Sequence, residues 1–277
     1  MLDLTIAIPV KNEEKNLPGC LDTIGKDLAK RVVVIDSSST DSTPQIAKNH
    51  GADYINFEWD GKFPKKRNWF LRNHTPITKW VLFLDADEFL TAQFKNELRR
   101  IISGSPPEDG FWLNYNIYFL GKPLKGGYPL KKLALFKVGT GEYERIDEDK
   151  WSSMDMEIHE HPIINGEVGE IKSRIDHRDL RGIDSYMQKH NEYAAWEAAR
   201  YTKIRHDSAD WENYTWKQKI KYRLIRTIWL APIFFFGSYF LMGGFRDGKR
   251  GYVFAILKMS YFSQIYSRIK EVEAQKE

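Results

Sequence analysis

The stretch Trp80-Val81-Leu82-Phe83-Leu84-Asp85-Ala86-Asp87-Glu88-Phe89 constrains the fold more than any other part of the chain. Its apolar run, Trp80 to Leu84, has the length and β-forming character of a strand buried on both faces, and it ends abruptly in Asp85, Asp87 and Glu88. Burying those charges is expensive, so they must lie just past the strand, where water, a metal ion or a ligand can reach them. In open α/β sheets the carboxyl ends of the strands are where ligands sit. Asp-x-Asp spacing lets two carboxylates from one turn approach a single hard divalent cation, Mg²⁺ or Mn²⁺, that also holds phosphates. A solvated acidic turn would carry the same residues, and the preceding sequence weighs between the two readings.

Leu4 to Val10 reads as a strand that leads into Lys11-Asn12-Glu13-Glu14-Lys15-Asn16-Leu17, after which Leu17, Leu21, Ile24 and Leu28 recur at helical spacing. Arg31-Val32-Val33-Val34-Ile35-Asp36 is a second buried strand that again ends in an aspartate. In the following Ser/Thr/Asp turn, Asp41 or Ser42 can cap a helix with Pro44 in its first turn; Gly51 closes that helix, and Asp53 to Phe57 begins a third strand. Strand, helix, strand, helix and strand in quick succession imply a parallel sheet with right-handed crossovers, an α/β fold that gathers its chemistry on one edge. Residues 63–74 read as a helix with Lys65, Lys66 and Arg67 on its first turns, a setting suited to phosphate, although a charge run also makes an ordinary solvated face. Further on, the pattern predicts a helix over 91–102, aromatic-rich β structure over 110–120 and a strand over 131–139. The stretch 150–181 is less regular and dense in titratable groups, and helical patterns run from Gly182 to the end.

At 277 residues and 42% hydrophobic content, the chain can bury one large domain and an appendage. The single cysteine, Cys20, excludes an intramolecular disulfide and a Cys-based zinc site, which fits a reducing compartment. Leu2 to Val10 starts the sequence directly as a strand, so no export signal is expected. Net charge is +4 but unevenly spread: residues 201–277 hold 14 Lys and Arg against 7 Asp and Glu. The same end carries the uncharged run Ile228 to Met242, interrupted by Pro232 and Gly237. It falls short of the roughly 20 residues a spanning helix needs. Basic flanks and abundant aromatics suit a segment lying in a membrane interface, and a hairpin of core helices is the competing reading. Basic residues interleaved with an apolar run do not form the polar stripe of a nucleic-acid binder, so no nucleic acid is expected.

Four motifs together, Ile8-Pro9-Val10-Lys11-Asn12-Glu13, Asp36 with its Ser/Thr/Asp turn, Arg67-Asn68 and Asp85-Ala86-Asp87, resemble glycosyltransferase family 2 over roughly residues 1–180. The resemblance implies a GT-A fold: a Rossmann-like, mostly parallel central sheet with helices on both faces, its nucleotide-sugar half in 1–105 and its acceptor half in 106–180. Residues 181–277 would form a helical C-terminal extension. It further implies that Asp36 accepts the uracil N–H of a UDP donor, that Pro9 and Glu13 shape the base and ribose pocket, and that Asn12 fixes the loop. Asp85 would contact ribose or metal, Asp87 would bind Mn²⁺ or Mg²⁺, and Arg67, with Lys66, would hold the phosphates. His177 is similar to the late histidine that such enzymes often supply to the metal. The family's usual Glu-Asp base is absent; Glu157-Ile158-His159-Glu160-His161 stands in its place and points to Glu160, with Glu157 and Asp155 as competitors.

The segment Gly243 to Tyr252 narrows the resemblance to bacterial lipopolysaccharide inner-core β-glycosyltransferases, including those that add β-1,4-glucose. It implies an inverting hexosyltransferase that takes UDP-glucose to a saccharide or lipid-linked saccharide acceptor. Such an enzyme would be cytoplasmic and peripheral on the inner face of the cytoplasmic membrane, meeting an anionic surface through 217–270. A polyprenyl-phosphate glycosyltransferase of the same fold and a non-catalytic nucleotide-sugar-binding scaffold remain as alternatives.

Overall fold

The computed structural model describes residues 1–145, 155, 162–204 and 216–275 of the 277. The chain divides into two compact units, one of residues 1–118 with 130–180 and the other of 119–129 with 181–277.

In the first unit the strands are β1 (Leu2–Val10), β2 (Ala29–Asp36), β3 (Asp53–Asn56), β4 (Trp80–Phe83), β5 (Glu88–Phe89) and β6 (Gly110–Phe119). After β7 (Lys122–Pro123), which belongs to the second unit, come β8 (Lys131–Lys137), β9 (Gly141–Tyr143), β10 (Pro162–Ile164) and β11 (Val168–His177). The main sheet runs β3-β2-β1-β4-β8-β6-β11-β5. Its N-terminal half, β3-β2-β1-β4, is parallel throughout, as is the β6–β11 pair. Strand β8 runs against both its neighbours, β4 and β6, and β5 runs against β11.

Alternation along the strands separates two apolar layers. Leu4, Ile6, Ile8 and Val10 of β1 join Trp80 and Leu82 of β4 on one face, under α1 (Leu17–Ile24) and α4 (Ala92–Ser103). Ala7, Val33, Ile35, Val81 and Phe83 face the other way, against Phe70 and Leu71 of α3 (Lys66–Asn73). Both faces of β4 are therefore dry, as its unbroken apolar sequence requires. Local chemistry sets the helix starts. Thr91 caps α4 by accepting the Phe94 amide at 3.1 Å, and Asp41, ahead of α2 (Thr43–Asn49), accepts the Thr43 amide at 3.0 Å. The helix expected over 63–74 is shorter and begins at Lys66.

The second unit is helical, with α5 (Ile183–Ile204), α6 (Trp216–Leu224), α7 (Leu230–Phe236) and α8 (Lys249–Ala274). Ala194, Ala198, Tyr201, Tyr222, Ile225, Ile265 and Ile269 form its core. Between α7 and α8 the chain makes a π-turn, Gly237–Leu241, and a 3₁₀ turn, Gly244–Asp247. That 3₁₀ turn lies so close to α8 that a Cβ on Gly251 would stand 1.9 Å from the Gly244 carbonyl oxygen, which requires glycine there.

Leu82 is fully buried and pairs with Ile6 at the centre of the parallel half. Leu82→Ala is expected to destabilise the first unit by about 3 kcal/mol, the range for a fully buried leucine. Urea unfolding monitored by circular dichroism checks this; a change below about 1 kcal/mol would mean that β4 is not central to the core.

Candidate active site

The carboxyl ends of β1, β2 and β4 lie side by side because their register is fixed: Val10 pairs with Asp36, and Ala7 pairs with Phe83. The Leu84 amide continues the ladder to the Ala7 carbonyl at 3.0 Å, so Asp85 emerges where the sheet ends.

Asp36 is fully buried, and its carboxylate accepts the Ser39 hydroxyl at 2.5 Å and the Tyr54 hydroxyl at 2.8 Å. Burial, together with that bond to Asp36, pushes the Tyr54 phenol up to about 12. Beside it, Asn12 adopts a left-handed backbone (φ 54), its amide donating to the Ser39 hydroxyl at 2.7 Å and its side-chain oxygen accepting the Thr40 amide at 2.9 Å. Asn12 thus ties the loop after β1 to the loop after β2. The Glu13 amide donates to Thr43 Oγ1 at 2.8 Å, and its carboxylate accepts the Asn16 side chain at 2.8 Å. Pro9 sits within β1, paired with Ile35.

Two cations meet the acidic turn. Asp85 accepts Arg67 at 2.8 Å on one oxygen and Lys132 at 2.6 Å on the other. Lys132 also reaches Glu88 at 2.5 Å, and Glu88 accepts the Asp85 amide at 3.1 Å. Glu88 is almost fully buried; that desolvation, with Asp85 and Asp87 nearby, outweighs Lys132 and raises its pKa to about 7. Burial disfavours the Lys132 ammonium, but Asp85 and Glu88 more than compensate and push its pKa well above the ordinary lysine range. Tyr115 lies under the Lys132 ammonium, 5.3 Å from ring centroid to nitrogen.

Lys66 is buried and engaged within the protein: its ammonium donates to the Val10 carbonyl at 2.9 Å and lies 3.4 Å from Asp155, and burial lowers its pKa. The first amide of α3 donates to the Asp155 carbonyl at 3.1 Å. Burial works to raise the Asp155 pKa, but Lys66, the Ser37 hydroxyl and Lys11 together outweigh it and hold the carboxyl below its usual range. A carboxylate so paired is a weak base. Asn68 is structural, its side chain bonding both the amide and the carbonyl of Tyr143 at 2.8 and 2.9 Å. Glu157 and Glu160 lie outside the described residues.

Asp87 is buried, with its carboxylate 3.6 Å from His177 Nε2. The antiparallel pairing of β5 with β11, His177 opposite Glu88, delivers that imidazole. The Arg178 amide clamps the same turn by donating to the Asp87 carbonyl at 2.7 Å. Among the described residues no three His, Cys, Asp or Glu side chains are grouped to hold a metal; one carboxylate and one imidazole, Asp87 and His177, could hold Mn²⁺ or Mg²⁺ only with other ligands from phosphate oxygens and water. Asp85 joins the same turn but directs its oxygens to Arg67 and Lys132.

Residues 5–121 match the family model described as glycosyl transferase family 2. The match takes in β1 to β6 and stops short of half the chain. Nearly its whole length is similar to the lipopolysaccharide core biosynthesis glycosyltransferase LpsC of Rhizobium meliloti, 25% identical over 96% of this chain and 93% of that protein. An uncharacterized glycosyltransferase of Rickettsia felis is 24% identical over 100% of this chain and 95% of its own. A TPR repeat-containing protein of Synechococcus elongatus is 35% identical over 36% of this chain, which spans only 24% of that relative. Among solved structures, S. aureus TarS in complex with UDP is 25% identical over 43% of this chain and 37% of that chain, with a TM-score of 0.35. Glucosyl-3-phosphoglycerate synthase from Mycobacterium tuberculosis, with Mn²⁺ and UDP, is 21% identical over 43% of this chain and 45% of that one, at 0.34.

Reading the sequence missed Lys132 and Tyr54, and it expected all three carboxylates of the turn within reach of water, whereas Glu88 and Asp87 are buried because cations and amides of the fold meet them there. A lysine inside the apolar strand Lys131-Lys132-Leu133-Ala134-Leu135-Phe136 was the available signal for the first. Because the Glu88 pKa is raised on folding, its protonation favours the folded state, an effect complete below its unfolded value near 4.5 and lost as pH rises through about 7. Wild-type stability is therefore expected to fall across that window relative to Glu88→Gln, measured by urea unfolding at several pH values. Parallel curves would contradict the burial of an ionisable Glu88.

Proposed function

We propose that this chain is an inverting glycosyltransferase that moves a hexose, glucose by preference, from a UDP-sugar to a saccharide acceptor of lipopolysaccharide core or a related surface glycan. It works on the cytoplasmic face of the inner membrane. The observation that carries the reading is the convergence of Asp36, Arg67, Asp85 and the Asp87–His177 pair at neighbouring strand ends. The similarity to LpsC along nearly the whole of both chains supports the acceptor class.

In this mechanism Asp36, oriented by Ser39 and Tyr54, accepts the uracil N–H, while Pro9 and Glu13 line the base and ribose pocket. Asn12 holds the two loops together around it. Arg67, already bound to Asp85, turns its positive charge toward the diphosphate, and Asp85 meets the ribose. Lys66, tied to Val10 and Asp155, adds positive potential from within the wall. Asp87 and His177 would hold a Mn²⁺ or Mg²⁺ ion, which would supply Lewis-acid neutralisation of the UDP leaving group. Glu160 takes the proton of the attacking acceptor hydroxyl, and single displacement inverts the anomeric centre.

Asp87→Ala is expected to lower kcat with UDP-glucose roughly 10²- to 10³-fold, the scale for losing one electrostatic stabiliser of the departing group, with an unchanged circular dichroism spectrum. Asp36→Ala should act on binding, raising the Kd for UDP about tenfold or more, as expected for a lost bond to a charged acceptor. Full turnover by the Asp87 variant would overturn the metal assignment, and unchanged UDP affinity in the Asp36 variant would overturn the base-pocket assignment.

A further inference from the structure

The second unit displays an apolar surface of its own. Trp229, Ile233, Phe236, Phe240, Leu241 and Phe245 are each between 51 and 88% exposed. Positions 229, 233, 236 and 240 follow one helical face through α7 and into the π-turn, and the Phe236 and Phe240 rings stack at 5.8 Å. Ala231 and Ser238, on the inner side of the same segment, are buried. A contiguous stripe of large apolar side chains facing solvent marks an interaction surface.

The surrounding charge selects its partner. Residues 216–250 contain eight Lys and Arg and a single acid, Asp247. That acid is buried, its carboxylate accepting the Lys125 and Gly126 amides at 2.8 to 3.2 Å, so it offers no negative charge to a partner. Arg223, Arg226, Arg246 and Lys249 are exposed on either side of the stripe in the chain. A second copy would bring the same cationic rim against itself, and like charges oppose that association. An anionic lipid surface offers both what the stripe lacks and what the rim attracts.

Insertion must be shallow. Helix α7 has seven residues, a length of about 10 Å against a hydrocarbon core of about 30 Å. Among the described residues no helix is long and apolar enough to cross a membrane. The stripe also sits on a firm base, since the Gly127 amide donates to the Met242 carbonyl at 2.9 Å and Ser238 donates to the Gly127 carbonyl at 2.7 Å.

We infer that the α7 and π-turn stripe docks the protein on anionic bilayers, its aromatic face entering the interfacial layer while the flanking Arg and Lys side chains meet lipid phosphates. This extends the membrane location proposed above to a named face, and its test is independent of sugar transfer.

The test is co-sedimentation of the full chain with vesicles of phosphatidylglycerol and phosphatidylcholine, or of phosphatidylcholine alone. Binding is expected only to the anionic vesicles, with a blue shift in tryptophan emission. The paired substitution Phe240→Ser and Leu241→Ser is expected to lower partitioning at least tenfold. Arg246→Gln with Lys249→Gln, or about 0.5 M salt, is expected to lower it roughly tenfold. UDP affinity should be the same in every variant, which separates this result from failure of the donor site. No binding to anionic vesicles would overturn the inference, as would partitioning indifferent to the Phe240 and Leu241 changes. A dimer in light scattering that those same changes dissolve would assign the stripe to a second copy instead.

Discussion

Two cations set against the acidic turn after β4 tie the strand end together. Asp85 and Glu88 follow a strand that is dry on both faces, and Arg67 and Lys132 offset part of the cost of holding their carboxylates there. Arg67 comes from α3 and Lys132 from the antiparallel β8, so the network also fastens helix, parallel sheet and inserted strand to one another. Asp87 is handled separately, by His177 and the Arg178 amide at the end of β11. Adjacent carboxylates of one turn thus acquire different work: Asp85 faces fixed positive charge, and Asp87 faces an imidazole with which it can share a cation.

That division rests on a scaffold whose polar groups are already held in place. The loops after β1 and β2 are tied by Asn12 and by the bonds of Asp36 to Ser39 and Tyr54, so the carboxylate is oriented before any ligand arrives. Little reorganisation then remains to oppose binding. Lys66 shows the other side of the arrangement: a lysine on the first turn of a helix spends its charge on Asp155 and a carbonyl inside the wall.

What could be read from the sequence follows the range of the interactions involved. The strand Trp80 to Phe83, its acidic end, the aspartate ending β2 and the parallel order of the first strands depend on local periodicity, and they stand in the structure as the pattern predicts. The pairings of Lys132 with Asp85 and of His177 with Asp87 depend on the register of β8 and β11, which no spacing in the sequence reveals. Thus resemblance alone singled out His177, which lies beside Asp87, while Lys132 was not singled out at all. The apolar run 228–242 was legible as unusual for its composition, but which of its side chains face outward depended on the helix and π-turn that carry them. The base assigned to Glu160 rests on the sequence alone.

The central claim is that these strand ends form a nucleoside-diphosphate site completed by a divalent cation. The most direct measurement is calorimetric titration of the protein with UDP in the presence and absence of Mn²⁺, followed by UDP-sugars. The account predicts UDP binding that strengthens at least tenfold with Mn²⁺ and a preference for UDP-glucose among the sugars. No UDP binding in either condition, or binding indifferent to the metal, would contradict it.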